Sequence, residues 1–375
     1  MEDLFLSSNG SQLGSFSPLH GGALNAAAEY FNIPADKWLD ISTGINPASW
    51  PIPAIPTAVW QRLPEDQRDR EDGLEQVALN YYLRDTECAD SRIQRSNILA
   101  SAGSQQAIRL LPNLYNAIFR GSKAKRTAKV WITAGSYAEH GIAWEEQGHR
   151  VNKVACEKIT QLLTQQPVDV LILLNPDNPS GHRWSAEQLL KWWSILHSRG
   201  GWLIVDEAFM DTTPEHSLVG QVEHEGLFVL RSVGKFFGLA GLRLGFVLSA
   251  EKTTKQLRKM LGPWAVSHPS QYLGRLALQD KEWINKQRYD LSQQSLRLAA
   301  LLETYFSCRC EGTDLFQTLH HTKSEYIFNQ LAKQAVLVRF LPATNKTPAG
   351  LRFGLPKNTE ANWQHLESAL ASLKI

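Results

Sequence analysis

Between about residue 96 and residue 250 the sequence alternates short apolar runs with helix-like segments, and this alternation constrains the fold more than any other feature. The runs occupy 97–102, 129–133, 169–174, 202–205, 227–231 and 242–249. They are rich in Val, Ile and Leu, with polar residues outside them, as expected for strands buried on both faces of a mostly parallel sheet. The expected class is therefore α/β, with a doubly wound large domain.

At 375 residues the chain exceeds what one hydrophobic core supports, since single cores stop growing near ~250 to 300 residues. Two lobes sharing a cleft are expected. Beyond residue 250 the periodicity turns to longer helices, at 282–306 and 358–373, with strand candidates at 335–340 and 350–353, which suits a smaller α/β lobe. Four prolines within 46–56 mark a break after the N-terminal segment. The expected division is an arm at 1–46 belonging to the small lobe, a large lobe at 47–255, and the small lobe proper at 256–375.

Lys plus Arg number 39 against 37 Asp plus Glu, so a formal charge of +2 provides no field for nucleic acid or a membrane surface. A small molecule is the expected partner. No apolar run approaches the ~20 residues that span a bilayer, and residues 1–14 lack the order of a signal peptide, so a cytoplasmic protein is expected. Cys88, Cys156, Cys308 and Cys310 are too few and too scattered for a disulfide framework.

In an open α/β sheet, ligands bind beyond the carboxyl ends of the strands, so the polar residues after each run are the candidates. The first run leads through Gly103, Ser104 and Gln105 into a helical segment at 107–114. That leaves free amides at a helix N-terminus, a setting that binds phosphate, although alone it is an ordinary turn. Tyr137 follows the second run with a ring able to stack on a flat heterocycle, though a lone Tyr is more often core. His140 beside it reads as a hydrogen-bonded surface residue, and with no second ligand at suitable spacing no metal is expected. The third run ends in Asn-Pro-Asp-Asn-Pro-Ser-Gly (175–181), whose prolines stiffen a loop able to aim the Asn178 amide into the cleft.

Asp206 continues the fourth run, where a carboxylate is costly unless it meets a positive partner. A protonated pyridine nitrogen would serve, and so would a helix-capping role. The fifth run supplies Ser232 and Lys235, and Arg243 lies in the glycine-rich stretch behind them. A lysine among glycines and aromatics can be desolvated, leaving a neutral amine able to attack an aldehyde. Ser232 and Arg243 add phosphate-binding donors. A phosphate nest, a stacking ring, an amide, a carboxylate and an amine then stand at five strand ends.

The segments 175–181, Asp-Glu-Ala-Phe (206–209), Ser-Val-Gly-Lys (232–235) and Gly-Leu-Arg-Leu-Gly (241–245) resemble the fold-type I enzymes of the aminotransferase class I/II group, which depend on pyridoxal 5'-phosphate (PLP). With His-Gly-Gly (20–22), Ser-Thr-Gly-Ile-Asn-Pro (42–47), Gly-Pro-Trp-Ala-Val-Ser (262–267) and Leu-Arg-Phe-Gly-Leu-Pro (351–356), nearly the whole chain is similar to the threonine-phosphate decarboxylase family of cobalamin biosynthesis, relatives of histidinol-phosphate aminotransferase. The resemblance implies that Lys235 carries PLP covalently, Asp206 pairs with the ring nitrogen, Asn178 holds the ring oxygen and Tyr137 stacks on the ring. It further implies that Gly103, Ser104 and Gln105 with Ser232 and Arg243 hold the cofactor phosphate. Arg352 would meet the substrate carboxylate or phosphate, and His20, Gly22, Gly44 and Asn46 would line the substrate side. Apart from the resemblance, Arg339 is a second arginine that a substrate phosphate could engage through charge-assisted bonds.

Phe209 and Leu63 depart from that pattern, since many relatives carry tyrosine there. A homodimer is expected, with its cross-subunit contacts altered by Leu63. The implied activity is that of a carbon–carbon lyase, decarboxylating L-threonine O-3-phosphate. The alternative is an aminotransferase for a phosphorylated amino acid or amine such as histidinol phosphate, because cofactor-binding residues do not decide which bond at the α-carbon breaks. Lys235 and Asp206 together speak against a non-catalytic binding domain.

Overall fold

Runs too apolar to face water on either side form most of a seven-stranded sheet, β1 (Ile98–Ser101), β2 (Lys129–Thr133), β4 (Val170–Leu174), β5 (Trp202–Asp206), β6 (Leu227–Ser232) and β7 (Gly245–Ser249), to which the polar β3 (Arg150–Val154) is added at one edge. The computed structural model describes residues 16, 21–65, 70–86, 92–119, 127–344 and 348–374. The strand order is β1-β7-β6-β5-β4-β2-β3, with β7 antiparallel to both neighbours and the other pairs parallel. Alternate residues feed two cores, one on each face. Leu203 and Val205 of β5 join one, and Trp202 and Ile204 the other.

Five of the six expected runs lie within a residue of their strands. The sixth starts late, because Leu242 closes a 3-10 turn and Arg243 takes a left-handed φ of 51° before β7 begins. β3 escaped the sequence reading: it is an edge strand, Arg-Val-Asn-Lys-Val, of which only Val154 is buried, so it has no apolar run to show.

Helices pack on both faces, among them α1 (Ser104–Phe119), α2 (Glu139–Glu146), α3 (Ala186–His197), the single turn α4 (Val233–Phe236) and α5 (Lys281–Phe306). Their starts are chemically marked: the Ser185 side chain accepts from Gln188 N ahead of α3, and Asp280 accepts from Trp283 N ahead of α5. No helix among the described residues is long and apolar enough to cross a membrane.

A second, antiparallel sheet has the order β10-β11-β9-β8, from β8 (Glu311–Thr313), β9 (Phe316–His320), β10 (Arg339–Leu341) and β11 (Gly350–Gly354). The single strand expected at 335–340 is divided. Val336–Leu337 pairs in parallel with Leu39–Asp40, while Arg339–Leu341 enters the sheet. Ile41 continues that seam, donating to Leu337 O (2.9 Å) and accepting from Gly354 N (2.6 Å).

Gly245 sets how closely the strand ends converge. It stands opposite both Ser101 and Ser232, and a Cβ there would lie 2.5 Å from Ser104 N and 2.9 Å from Arg231 O. Gly245→Ala should therefore cost about 1 to 3 kcal/mol in urea unfolding through overpacking, because it pushes α1 off the sheet. An unchanged midpoint would show that α1 yields freely.

Candidate active site

At the end of β1 the chain turns through Gly103 at φ +76° and enters α1 at Ser104, so successive amides point out of the helix N-terminus. The Arg243 guanidinium lies over this turn. A Cβ on Gly103 would sit 2.8 Å from Arg243 Nη2, so glycine is needed both for its φ and for the arginine above it. Ser232, the last residue of β6, is brought alongside through Gly245. Tyr137 reaches the same rim, its hydroxyl donating to Gln105 Oε1 (3.3 Å). Burial, then the charges of Glu139 and Asp206, push its phenol up to about 12.

Asp206 ends β5 and is buried. Its Oδ1 accepts from Ala208 N (3.1 Å) and its Oδ2 from His140 Nε2 (2.9 Å). His140, read as a surface residue from sequence, is equally buried, the second residue of α2. The partner that makes a buried Asp206 tolerable is thus partly supplied by the chain. Only its place at the foot of α2, beneath the mouth of the sheet, signalled this.

Lys235 is half-buried on α4, and among the described residues its amine makes no hydrogen bond or ion pair. It lies 5.5 Å from the centre of the Phe209 ring. Burial lowers its pKa to about 8, helped by the positive charges of Arg352, Arg339 and Arg243 and opposed by Asp206. Arg352 is buried, donating from Nη1 to Asn178 Oδ1 (2.5 Å) and from Nη2 to Ser42 O (2.7 Å), while its Nε has no partner among the described residues. Burial and the neighbouring Arg339, directly opposite in the β10–β11 register, bring it down to about 9. Two guanidiniums and an amine crowd together with little to neutralise them, so the cleft favours anions.

Phe209 meets Phe316 edge-on at 5.1 Å, and Arg352 lies 5.2 Å over Phe316, which gives the cleft an aromatic floor. Gly44 is where this floor needs space: a Cβ would lie 2.8 Å from Phe209 and 3.0 Å from Phe316. Gly22, at φ +85°, donates its N–H to Ser42 Oγ (2.7 Å), beside the carbonyl that Arg352 holds. The Asn46 side chain is engaged by the backbone around Lys235, donating to Phe236 O (2.7 Å). His20 lies outside the described residues.

Beneath the cleft is a cluster the sequence reading missed. Arg231 pairs with Glu207 (2.8 Å) and Asp211 (3.1 Å), all buried, and lies 4.5 Å over the Tyr82 ring. Ser217 Oγ and Leu218 N donate to Glu207, and Tyr81 donates to Asp211 (2.8 Å).

A phosphate-ready helix start, a carboxylate, a side-chain amide and an unpartnered amine together match the donor set of a phosphorylated pyridine aldehyde. Gly103, Ser104, Gln105, Ser232 and Arg243 could hold the phosphate, Asp206 the ring nitrogen, Asn178 the ring oxygen and Lys235 the aldehyde carbon. Fold and site define a PLP-dependent enzyme of fold type I.

Comparison with known proteins agrees. Residues 70–370 match the model of the family "Aminotransferase class I and II". Two curated relatives named threonine-phosphate decarboxylase align over 95% of this chain and 98% of their own, at 40% identity for that of Pseudomonas aeruginosa and 34% for that of a Sinorhizobium species. The solved histidinol-phosphate aminotransferase of Sinorhizobium meliloti, in complex with pyridoxal-5'-phosphate, superposes with a TM-score of 0.75 at 18% identity, covering 92% of this chain and 93% of that one. The chain belongs to the aminotransferase class I and II family.

A lysine must be neutral to attack an aldehyde, so the rate at which PLP-free protein takes up PLP should rise with pH through a midpoint near 8 rather than the usual 10.5. Arg352→Met removes a repelling charge and should move that midpoint upward. A stopped-flow pH profile that stays put or moves down would contradict the stated cause.

Proposed function

We propose that the chain decarboxylates L-threonine O-3-phosphate to (R)-1-amino-2-propanol O-2-phosphate, with PLP carried on Lys235, as a step of cobalamin biosynthesis. The observation that carries this reading is the 40% identity to a threonine-phosphate decarboxylase over nearly the full length of both chains. The cleft supports it, because a substrate with both a carboxylate and a phosphate calls for two cationic contacts, and Arg339 and Arg352 stand side by side.

PLP, when bound, supplies the electron sink that accepts the pair left as carbon dioxide departs. The protein's own work is placement and proton control. Asp206, held in place by His140 and Ala208 N, would present its carboxyl to the ring nitrogen. Asn178 is steadied by Arg352, so the group near the ring oxygen and the group that meets substrate are tied together. Phe209 carries no hydroxyl, which leaves the ring oxygen to Asn178. Lys235, with its pKa near 8, releases and returns a proton near neutral pH, as the reprotonation of the α-carbon requires.

We also propose the lobe division given above, a cytoplasmic setting and a homodimer. Ile52, Trp60, Leu63 and Trp264 are each 58 to 64% exposed around a groove of about 780 Å³ that also contains Leu239 and Leu273. Apolar surface gathered in this way marks an interface, and a second copy is the partner we assign to it. The described cysteines, Cys156, Cys308 and Cys310, are free thiols, in keeping with a reducing compartment.

Carbon dioxide release and the cofactor spectrum, read in one cuvette with threonine phosphate and no keto acid, test the reaction. Sustained carbon dioxide release is expected, whereas a single-turnover shift to the pyridoxamine form, rescued by 2-oxoglutarate, would identify an aminotransferase. Two charge-assisted bonds should favour phosphothreonine over threonine by about 10² to 10⁴-fold in kcat/KM. Asp206→Asn should bind PLP yet lose about 10 to 100-fold in turnover, and near-normal turnover would reduce Asp206 to a structural role.

A further inference from the structure

α4, the turn that carries Lys235, is four residues long, and so short a helix leaves its last carbonyls few local donors, Lys235 O receiving Gly238 N (3.2 Å). The carbonyls of Lys235, Phe236 and the next residue, Phe237, are met from a single loop. Asn46 N donates to Lys235 O (3.0 Å), Asn46 Nδ2 to Phe236 O (2.7 Å) and Trp50 N to Phe237 O (2.8 Å). Gly238, at φ +65°, allows this approach, since a Cβ there would lie 2.7 Å from both Asn46 O and Ser49 Cα.

The loop is in turn tied to α5. Asn46 Oδ1 accepts from Ala48 N (2.8 Å) and from Gln287 Nε2 of α5 (3.5 Å). Trp50 Nε1 donates to Asp280 Oδ2 (3.0 Å), the residue that caps α5. Trp283 of α5 stacks on Phe237 at 5.5 Å and meets Phe236 edge-on at the same distance. Asn46 is 2% exposed with both ends of its amide engaged, one Nδ2 hydrogen by the lysine turn and Oδ1 by its own loop and α5, which ties the lysine turn to both.

We propose that Asn46 is a positioning residue for Lys235: with Trp50 and Gln287 it splints the lysine turn to α5 and fixes where the amine stands. The inference rests on reading Lys235 as the amine that carries PLP. Its physical content is that the amine stays shielded from water only while the turn beneath it cannot fray. Removing the Asn46 amide leaves Phe236 O buried without its donor, which loosens the turn and hydrates the amine.

Asn46→Ala, shown folded by thermal unfolding, should take up PLP with a pH midpoint about one unit above wild type, and should lose bound PLP on dialysis about 10-fold faster. Its kcat should fall while KM for threonine phosphate changes less than about threefold. An unchanged uptake profile and PLP half-life with a raised KM would overturn the proposal and make Asn46 a substrate contact. Should Asn46→Ala fail to fold, Gln287→Leu keeps Asn46 but frees it from α5, and must move the uptake midpoint in the same direction; an unmoved midpoint in the folded variant is equally fatal. A borohydride-fixed PLP adduct persisting in Lys235→Ala would instead remove the lysine assignment, and this inference with it.

Discussion

Arg231 lies 1% exposed between Glu207 and Asp211, and removing it would leave two acids sealed in the interior without their counter-charge. Breaking such a pair costs about 3 to 5 kcal/mol, far more than an exposed pair is worth. The cluster matters because of its neighbours in the chain. Glu207 follows Asp206, and Arg231 precedes Ser232 on the turn leading to Lys235. The ion pair clamps the ends of β5 and β6 in register, and those two ends carry the candidate carboxylate and amine. Asp211 extends the clamp: its side chain receives Tyr81, and its carbonyl accepts from Arg288 Nε of α5 at 2.8 Å.

Above that clamp the cleft is built from small residues placed where larger ones would collide. Gly103 yields to Arg243, Gly44 to Phe209 and Phe316, and Gly245 to the start of α1. The first two let a charged or aromatic side chain come closer than a Cβ would allow, and the third does the same for the backbone that opens α1. The resulting surplus of positive charge is tolerable because the groups it confronts are meant to be anions.

The sheet was legible because its central strands are buried on both faces and must be apolar throughout, and the candidate site could be sought because polar residues interrupt those runs at their ends. β3 was not, since an edge strand half in water carries no such constraint. His140 and Arg231 were illegible for the opposite reason: as single polar letters they resemble surface residues, and only the tertiary fold shows that each meets a buried carboxylate. Asn46 was found by its motif, but which way its amide turns depends on α5, more than two hundred residues further along. Resemblance supplied the identity of Arg352, and Arg339 was a candidate only as a further anion-binding side chain; their adjacency across β10 and β11 needed the structure.

The loop at 175–181 ends in Gly181, whose φ is +73°, and a Cβ on it would come within 2.3 Å of Gly312 O in the second sheet. Thr318 Oγ1 also donates to Pro179 O (2.6 Å). At Gly181 the loop and the second sheet meet main chain to main chain, with the Thr318 side chain bonding across beside that contact. Evolution can therefore alter neither surface alone: a bulkier residue on one side demands a withdrawn backbone on the other. An engineer building chimeras from two relatives would have to move the 175–181 loop and the hairpin around Gly312 as a single inherited unit, although the sequence places them far apart.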